Sequence, residues 1–214
     1  MATYLEQSLT KLKEFEGCIP WMYRDTVGKV TVGVGLMLPD AKAAESLPFL
    51  LDTRPATPQE IAAEYARVNS LPQGRASAFY KSATTHLILP QQTIDAKLSA
   101  VLQGFEATLR TRLPHYDTFP DGVKLALLDM TYNLGPAGLF KDFPSLISAV
   151  ESGSWAEAAA RCMRRGPSPA RNAWTREQFL SAVVTTIKAE ADTLSKRIWL
   201  AIRQTWNALF GPRQ

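Results

Sequence analysis

Apolar and polar positions alternate along this chain with two different periods, and the change between them divides it. Leu5, Leu9, Leu12 and Phe15 recur every three or four residues, which predicts a helix over about Tyr4 to Glu16. Thr3-Tyr4-Leu5-Glu6 has the capping-box order at its start, and Gly17 offers a left-handed stop at its end. Pro20 blocks continuation. From Trp21 to Gly35 the period falls to two, with Val30, Val32 and Val34 on one side and Lys29, Thr31, Gly33 and Gly35 on the other. That pattern predicts a β-hairpin, and Asp25-Thr26-Val27-Gly28 supplies the turn, with Asp first and Gly fourth as type I turns prefer.

Between Leu36 and Leu89 the pattern is interrupted by Pro39, Pro48, Pro55, Pro58 and Pro72. One helix stands out there: Thr57-Pro58-Gln59-Glu60 is a capping box with proline at the first helical position, followed by Ile61, Tyr65 and Val68. After Pro90, the residues Ile94, Leu98, Val101, Leu102, Phe105, Leu109 and Leu113 mark one face of a long helix ending near Pro114. Val123 to Leu134 is apolar on almost every face and closes with Gly135, the signature of a helix buried in a bundle. Ser154-Trp155-Ala156-Glu157 predicts another capped helix, with Arg164 and Arg165 as cations in its last turn, and Ser168-Pro169 opens one more. The whole reads as α+β, mostly helical: a helical body carrying a small hairpin near its amino end.

Composition excludes several classes. With 46% apolar residues over 214 positions the chain can bury a substantial core, so disorder is ruled out. Its longest apolar runs, Leu47 to Leu51 and Ile198 to Ile202, fall far short of the roughly 20 residues that span a bilayer. Two distant cysteines, Cys18 and Cys162, and two histidines, His86 and His115, do not spell a zinc site. No GxSxG is present for a serine triad, and Gly33-Val34-Gly35 is not completed into a dinucleotide or P-loop pattern, so no cofactor and no metal are expected. The first twenty residues carry scattered charges and no continuous apolar segment, which predicts synthesis in the cytoplasm without a secretory signal. Charge is uneven: residues 161–214 hold ten Lys and Arg against three Asp and Glu, while residues 1–160 hold 14 against 17. No nucleic-acid partner is expected. The basic tail would be drawn to an anionic surface or would simply solvate a helix face.

Three polar residues converge on the amino-terminal pattern. Glu16 ends a helix, Asp25 lies nine residues on in a turn, and Thr31 shares the glycine-bearing side of the strand. A carboxyl at a helix carboxyl terminus meets the negative end of the dipole, which favours its protonated form and suits a general acid. An aspartate in a watered turn stays ionised, and two carboxyls in opposed environments are what glycoside hydrolysis requires. Glycines beside Thr31 would also let a ligand backbone lie close to the strand. The same residues equally describe a surface glutamate before a helix cap and an aspartate that only shapes a turn.

Glu16-Gly17 followed by Tyr23-Arg24-Asp25-Thr26-Val27-Gly28-Lys29-Val30-Thr31-Val32-Gly33-Val34-Gly35 closely resembles the catalytic segment of the phage-type lysozymes of glycoside hydrolase family 24. Ala126-Leu127-Leu128-Asp129-Met130-Thr131-Tyr132-Asn133-Leu134-Gly135 is similar to that family's buried central helix. Trp155-Ala156-Glu157-Ala158-Ala159 and Ser168-Pro169-Ala170-Arg171 resemble its next helices in order, so that the likeness covers roughly residues 3–38 and 90–182.

The resemblance implies a lysozyme-like fold: a hairpin lobe over about 17–89, a helical lobe of 1–16 plus 90–184, and a long helix between them. It implies hydrolysis, with inversion, of the β-1,4 bond between N-acetylmuramic acid and N-acetylglucosamine in peptidoglycan glycan strands. Glu16 would be the general acid, Asp25 would orient or activate water, and Thr31 would hold that water. Arg171 matches an arginine facing the catalytic glutamate, and Asn133 an amide lining the cleft. Inversion needs about 6.5–9.5 Å between the carboxyls to admit the water.

Delivery would be as a phage endolysin or as an exported antibacterial toxin acting on the cell wall, with a holin, secretion machinery or an immunity protein as further partners. Two departures stand out. The T-even enzymes carry histidine directly after the second glycine, where Leu36 stands here, and the Leu36 to Leu89 connection is longer than in the compact phage enzymes. Beyond the likeness, 185–214 predicts a basic amphipathic helix, through Ile187, Leu194, Ile198, Ile202, Trp206 and Leu209, that docks on the core or else meets a membrane. A peptidoglycan-binding adaptor without turnover, or a membrane-active toxin working through that helix, are the alternatives.

Overall fold

The computed structural model describes residues 2–81 and 87–210, the last seven of these by their backbone alone. It is mostly helical, with two small antiparallel sheets, and it divides into two compact units, Met1–Thr108 and Leu109–Gln214. This boundary falls inside the long helix α4 (Gln91–Arg112), and α1 (Tyr4–Glu16) groups with the sheets, whereas the sequence grouping assigned both to a helical lobe.

In the first unit, α1 carries the expected capping box: Thr3 accepts from the Glu6 N–H, and the Glu6 side chain accepts from the Thr3 N–H at 2.7 Å. It is tied to α4 by Lys13 with Asp95 at 2.9 Å and by the Tyr4 hydroxyl donating to Glu106. The hairpin gains a third strand. β1 (Ile19–Arg24), β2 (Val30–Gly33) and β3 (Leu36–Met37) form a meander in that order, with a bulge in β1 between Ile19 and Tyr23. Alternation fails as a guide to burial here, because all four residues of β2 are buried, Thr31 and Gly33 included. Gly33 shows why: at φ +68° a Cβ would lie 3.1 Å from Ile94 on α4, so the room expected for a ligand backbone is filled by the protein's own core.

The connection from Leu36 onward folds around α2 (Ala41–Glu45), β4 (Leu50–Leu51), β5 (Arg54–Pro55), α3 (Pro58–Ser70) and β6 (Leu87–Ile88). The strands β5, β4 and β6 pair in that order into the second sheet. α3 is capped as expected at Thr57 and Glu60, and buries Ile61 and Val68 against β1 and β2. His86 lies outside the described residues.

In the second unit α5 (Asp121–Asp142) is the centre, and every residue from Val123 to Thr131 is buried. Gly135, at φ +70°, breaks its helical path where the sequence places a stop, and Pro136 opens the continuation. α6 (Pro144–Glu151) and α7 (Trp155–Arg161) follow, and α8 (Pro169–Phe210) packs on α5 and α7. A Cβ on Gly122 would fall 2.4 Å from the Gln178 carbonyl oxygen, so α5 and α8 approach as closely as only glycine permits. Three local readings are corrected. Ser154 makes no side-chain cap, α7 ends at Arg161, and Arg164 is not a helix-end cation but a buried ion-pair partner. Nor do the described side chains of the basic tail dock: α8 runs through Phe210, and residues 188–203 are exposed without exception.

Candidate functional site

Glu16 occupies the last turn of α1, exposed, one residue before the left-handed Gly17. The helix stops there because Gly17 takes φ +78° and Pro20 follows, so the carboxylate stands where α1 gives way to β1.

Asp25 shapes the next feature. Its Oδ1 accepts from the N–H groups of Val27 (3.0 Å) and Lys29 (2.8 Å), while its own N–H donates to the Lys29 carbonyl at 2.9 Å. Gly28, at φ +82°, closes the turn by donating to the Asp25 carbonyl at 3.1 Å. One carboxylate oxygen is thus spent on holding the backbone. Among the described residues the other, Oδ2, accepts no hydrogen bond, and Asp25 is half-buried.

Thr31 lies on β2 directly opposite Tyr23 on β1. It is buried, and its hydroxyl donates to the Lys29 carbonyl at 3.2 Å, which leaves the oxygen's lone pairs as its remaining polar capacity. Directly opposed residues in a sheet share a face, so Tyr23 and Thr31 are neighbours. The Tyr23 phenol is pushed above its ordinary value by burial first, then by the negative charges of Asp25 and Glu16. Both carboxylates therefore bear on one phenol that keeps its proton, and that phenol lies across from Thr31. Asp25 and Glu16 thus both raise the Tyr23 phenol, and Thr31 is its cross-strand partner.

Two residues of this group are not candidates in the sequence reading. Tyr23 stands there only as a member of the lysozyme-like segment, yet its position two before Asp25 on a strand already sets it on one side with the turn. Arg24 is the second. Its Nε donates to the Gly28 carbonyl at 3.0 Å and its Nη1 to the Leu71 carbonyl at 2.6 Å, which clamps the Asp25 turn to the end of α3. Gln73, just beyond, reaches so near Gly28 that a Cβ there would meet its Oε1 at 2.2 Å. The long connection thus buttresses the turn. Trp21 is fixed in the same way, donating from Nε1 to the Ser77 carbonyl at 2.9 Å, with Lys81 over its ring at 5.2 Å.

The supporting residues lie in the second unit. Asn133 is exposed on α5. Arg171, in the first turn of α8, is buried, and its Nε donates to Asp129 Oδ1 at 2.8 Å. Asp129 also accepts through Oδ2 from Arg164 Nη2 (2.7 Å) and from the Thr175 hydroxyl (2.8 Å), and Asn172 brackets the Arg164 backbone by accepting its N–H and donating to its carbonyl. Two guanidiniums on one buried carboxylate make a built network whose first task is to anchor α8 on α5.

Among the described residues no three His, Cys, Asp or Glu side chains come together to hold a metal ion. Cys162 is buried, and its thiol is pushed up mainly by that burial; Cys18 is half-buried, and both thiols are free. No helix among the described residues is long and apolar enough to cross a membrane. No family model matches this chain, and no curated protein matches it either.

Proposed function

We propose that this protein is a peptidoglycan muramidase with a lysozyme-like fold, cleaving the β-1,4 bond between N-acetylmuramic acid and N-acetylglucosamine with inversion and without a cofactor. The observation that carries the reading is the pair of carboxylates, Glu16 at a helix end and Asp25 in a hairpin turn, that both act on the Tyr23 phenol opposite Thr31. The likeness of residues 16–35 to the phage-type lysozymes assigns the roles.

Glu16 gives its proton to the glycosidic oxygen as the bond from that oxygen to the anomeric carbon breaks. A water attacks that carbon from the opposite face, passing its proton to Asp25, so the new hydroxyl has inverted configuration. Asp25 is suited to the second role because its Oδ1 is fixed by two backbone N–H groups, which pre-sets the direction of Oδ2. Thr31 has little exposed surface, so what it offers is a place for one water rather than for sugar; its lone pairs would accept from that water. Tyr23 stays protonated, so it adds no charge of its own to the field of the two carboxylates.

The test uses the purified full chain on isolated sacculi, with mass analysis of the released fragments. Hydrolysis yields muropeptides with a free reducing end; a lytic transglycosylase would give products one water lighter. Glu16→Gln should abolish release while circular dichroism stays unchanged, and release undiminished by that change would falsify the assignment of the acid. Sedimentation with sacculi but no release by the unaltered protein would favour a binding protein instead.

A further inference from the structure

The second half of α8 makes a surface that the fold leaves uncovered. Ile187, Leu194, Ile198, Trp199, Leu200 and Ile202 are each 50–61% exposed. Val184, Ile187, Ala191, Leu194, Ile198 and Ile202 follow one another at intervals of three or four, so they form one continuous apolar stripe, with Trp199 on its flank. Lys196 and Arg203 are seven residues apart and share a side away from the stripe. There Lys196 pairs with Asp192 at 2.7 Å, and Arg203 stands 5.3 Å over the Trp199 ring. From Ile187 to the end, five Lys and Arg face two acidic residues.

We infer that this half of α8 lies flat on an anionic phospholipid surface, its apolar stripe in the acyl boundary and its cations among the phosphates. Charge decides the occupant, because a basic surround on an apolar face complements anionic headgroups and not a neutral interior. The helix is too short of apolar residues to cross a bilayer, so it rests at the interface. A second copy fits less well. A two-helix seam through Val184, Ile187, Ala191, Leu194, Ile198 and Ala201 would place alanine at two of its positions and leave Trp199 outside, whereas an indole on the flank is what the headgroup region favours. The inference does not rest on glycan cleavage, and the test contains no glycan.

The full chain is sedimented with vesicles of phosphatidylcholine alone and with vesicles holding about one-third phosphatidylglycerol, at low and high salt, and its oligomeric state is read by light scattering. Binding should need phosphatidylglycerol and weaken with salt. It should fall about fivefold for each cation removed by Lys196→Gln or Arg197→Gln, on the basis of about 1 kcal/mol per basic residue near the surface. Ile198→Asp with Ile202→Asp should abolish binding while leaving the circular dichroism spectrum unchanged, since both side chains project into solvent. Equal binding to neutral vesicles, binding that survives the double change, or a dimer that binds no vesicle and that Ile198→Asp splits would overturn the inference.

Discussion

Asp25 and Asp129 are the same residue put to opposite uses. Asp25 is half-buried in a hairpin turn, with one oxygen held by two backbone N–H groups and the other accepting no hydrogen bond among the described residues. Asp129 is buried in α5, and both of its oxygens take side-chain donors, from Arg164, Arg171 and Thr175. A carboxylate whose neighbours are backbone is fixed in place yet keeps capacity for chemistry. One surrounded by guanidiniums spends that capacity on joining helices.

The largest expected effect is on the buried side of this contrast. Asp129→Ala leaves two arginines without their shared anion, and removal of one member of a buried ion pair costs about 3–5 kcal/mol, so the melting temperature of the full chain should drop by about 10 °C. Asp25→Asn should do the reverse. The asparagine carbonyl still accepts from Val27 and Lys29, so the melting temperature should hold within about 2 °C, while muropeptide release falls about a hundredfold or more for want of a base. Equal melting losses from both changes would show that Asp25 is only a turn former.

Gly33→Ala sharpens the contrast within the first unit. It forces a side chain at φ +68° against Ile94, and about 1–3 kcal/mol of stability should go, measured by urea unfolding, without touching a carboxylate. The smallest effect concerns Glu60. Its carboxyl is held down to about 2, chiefly by hydrogen bonding to Arg54 and then by the Thr57 N–H. A depressed folded value adds stability above the unfolded value, which disappears as pH falls toward 2. The melting difference between the unaltered protein and Glu60→Gln should therefore be present at pH 7 and vanish on acidification through that window. A difference that persists at pH 2 would mean that the cap, not the charge, carries it.

Helix ends were legible because caps are local: Thr3 with Glu6, Thr57 with Glu60, and Gly135 each act within a turn of the backbone they terminate. Glu16 and Asp25 were legible for the same reason, since a helix stop and a turn place them. The strands β4, β5 and β6 were not, because two residues are too few to show a period of two. Tyr23 escaped because its role depends on which residue of another strand it faces, which a bulge in β1 sets. Arg164 read as a helix-end cation because nothing near it in sequence announces Asp129, 35 positions away.

By itself the sequence determined where most helices start and stop, that one segment from Trp21 to Gly35 turns back on itself as a strand pair, and which acidic residues flank that segment. Capping, turn chemistry and periodicity operate over a few neighbouring residues, so they survive in a string of letters. The tertiary structure alone decided which charges are buried and which apolar residues are left in water. It set Arg164 and Arg171 on Asp129, filled the space at Gly33 with Ile94, and left the stripe along α8 uncovered. Burial depends on what distant elements bring to a position, and no local pattern records that.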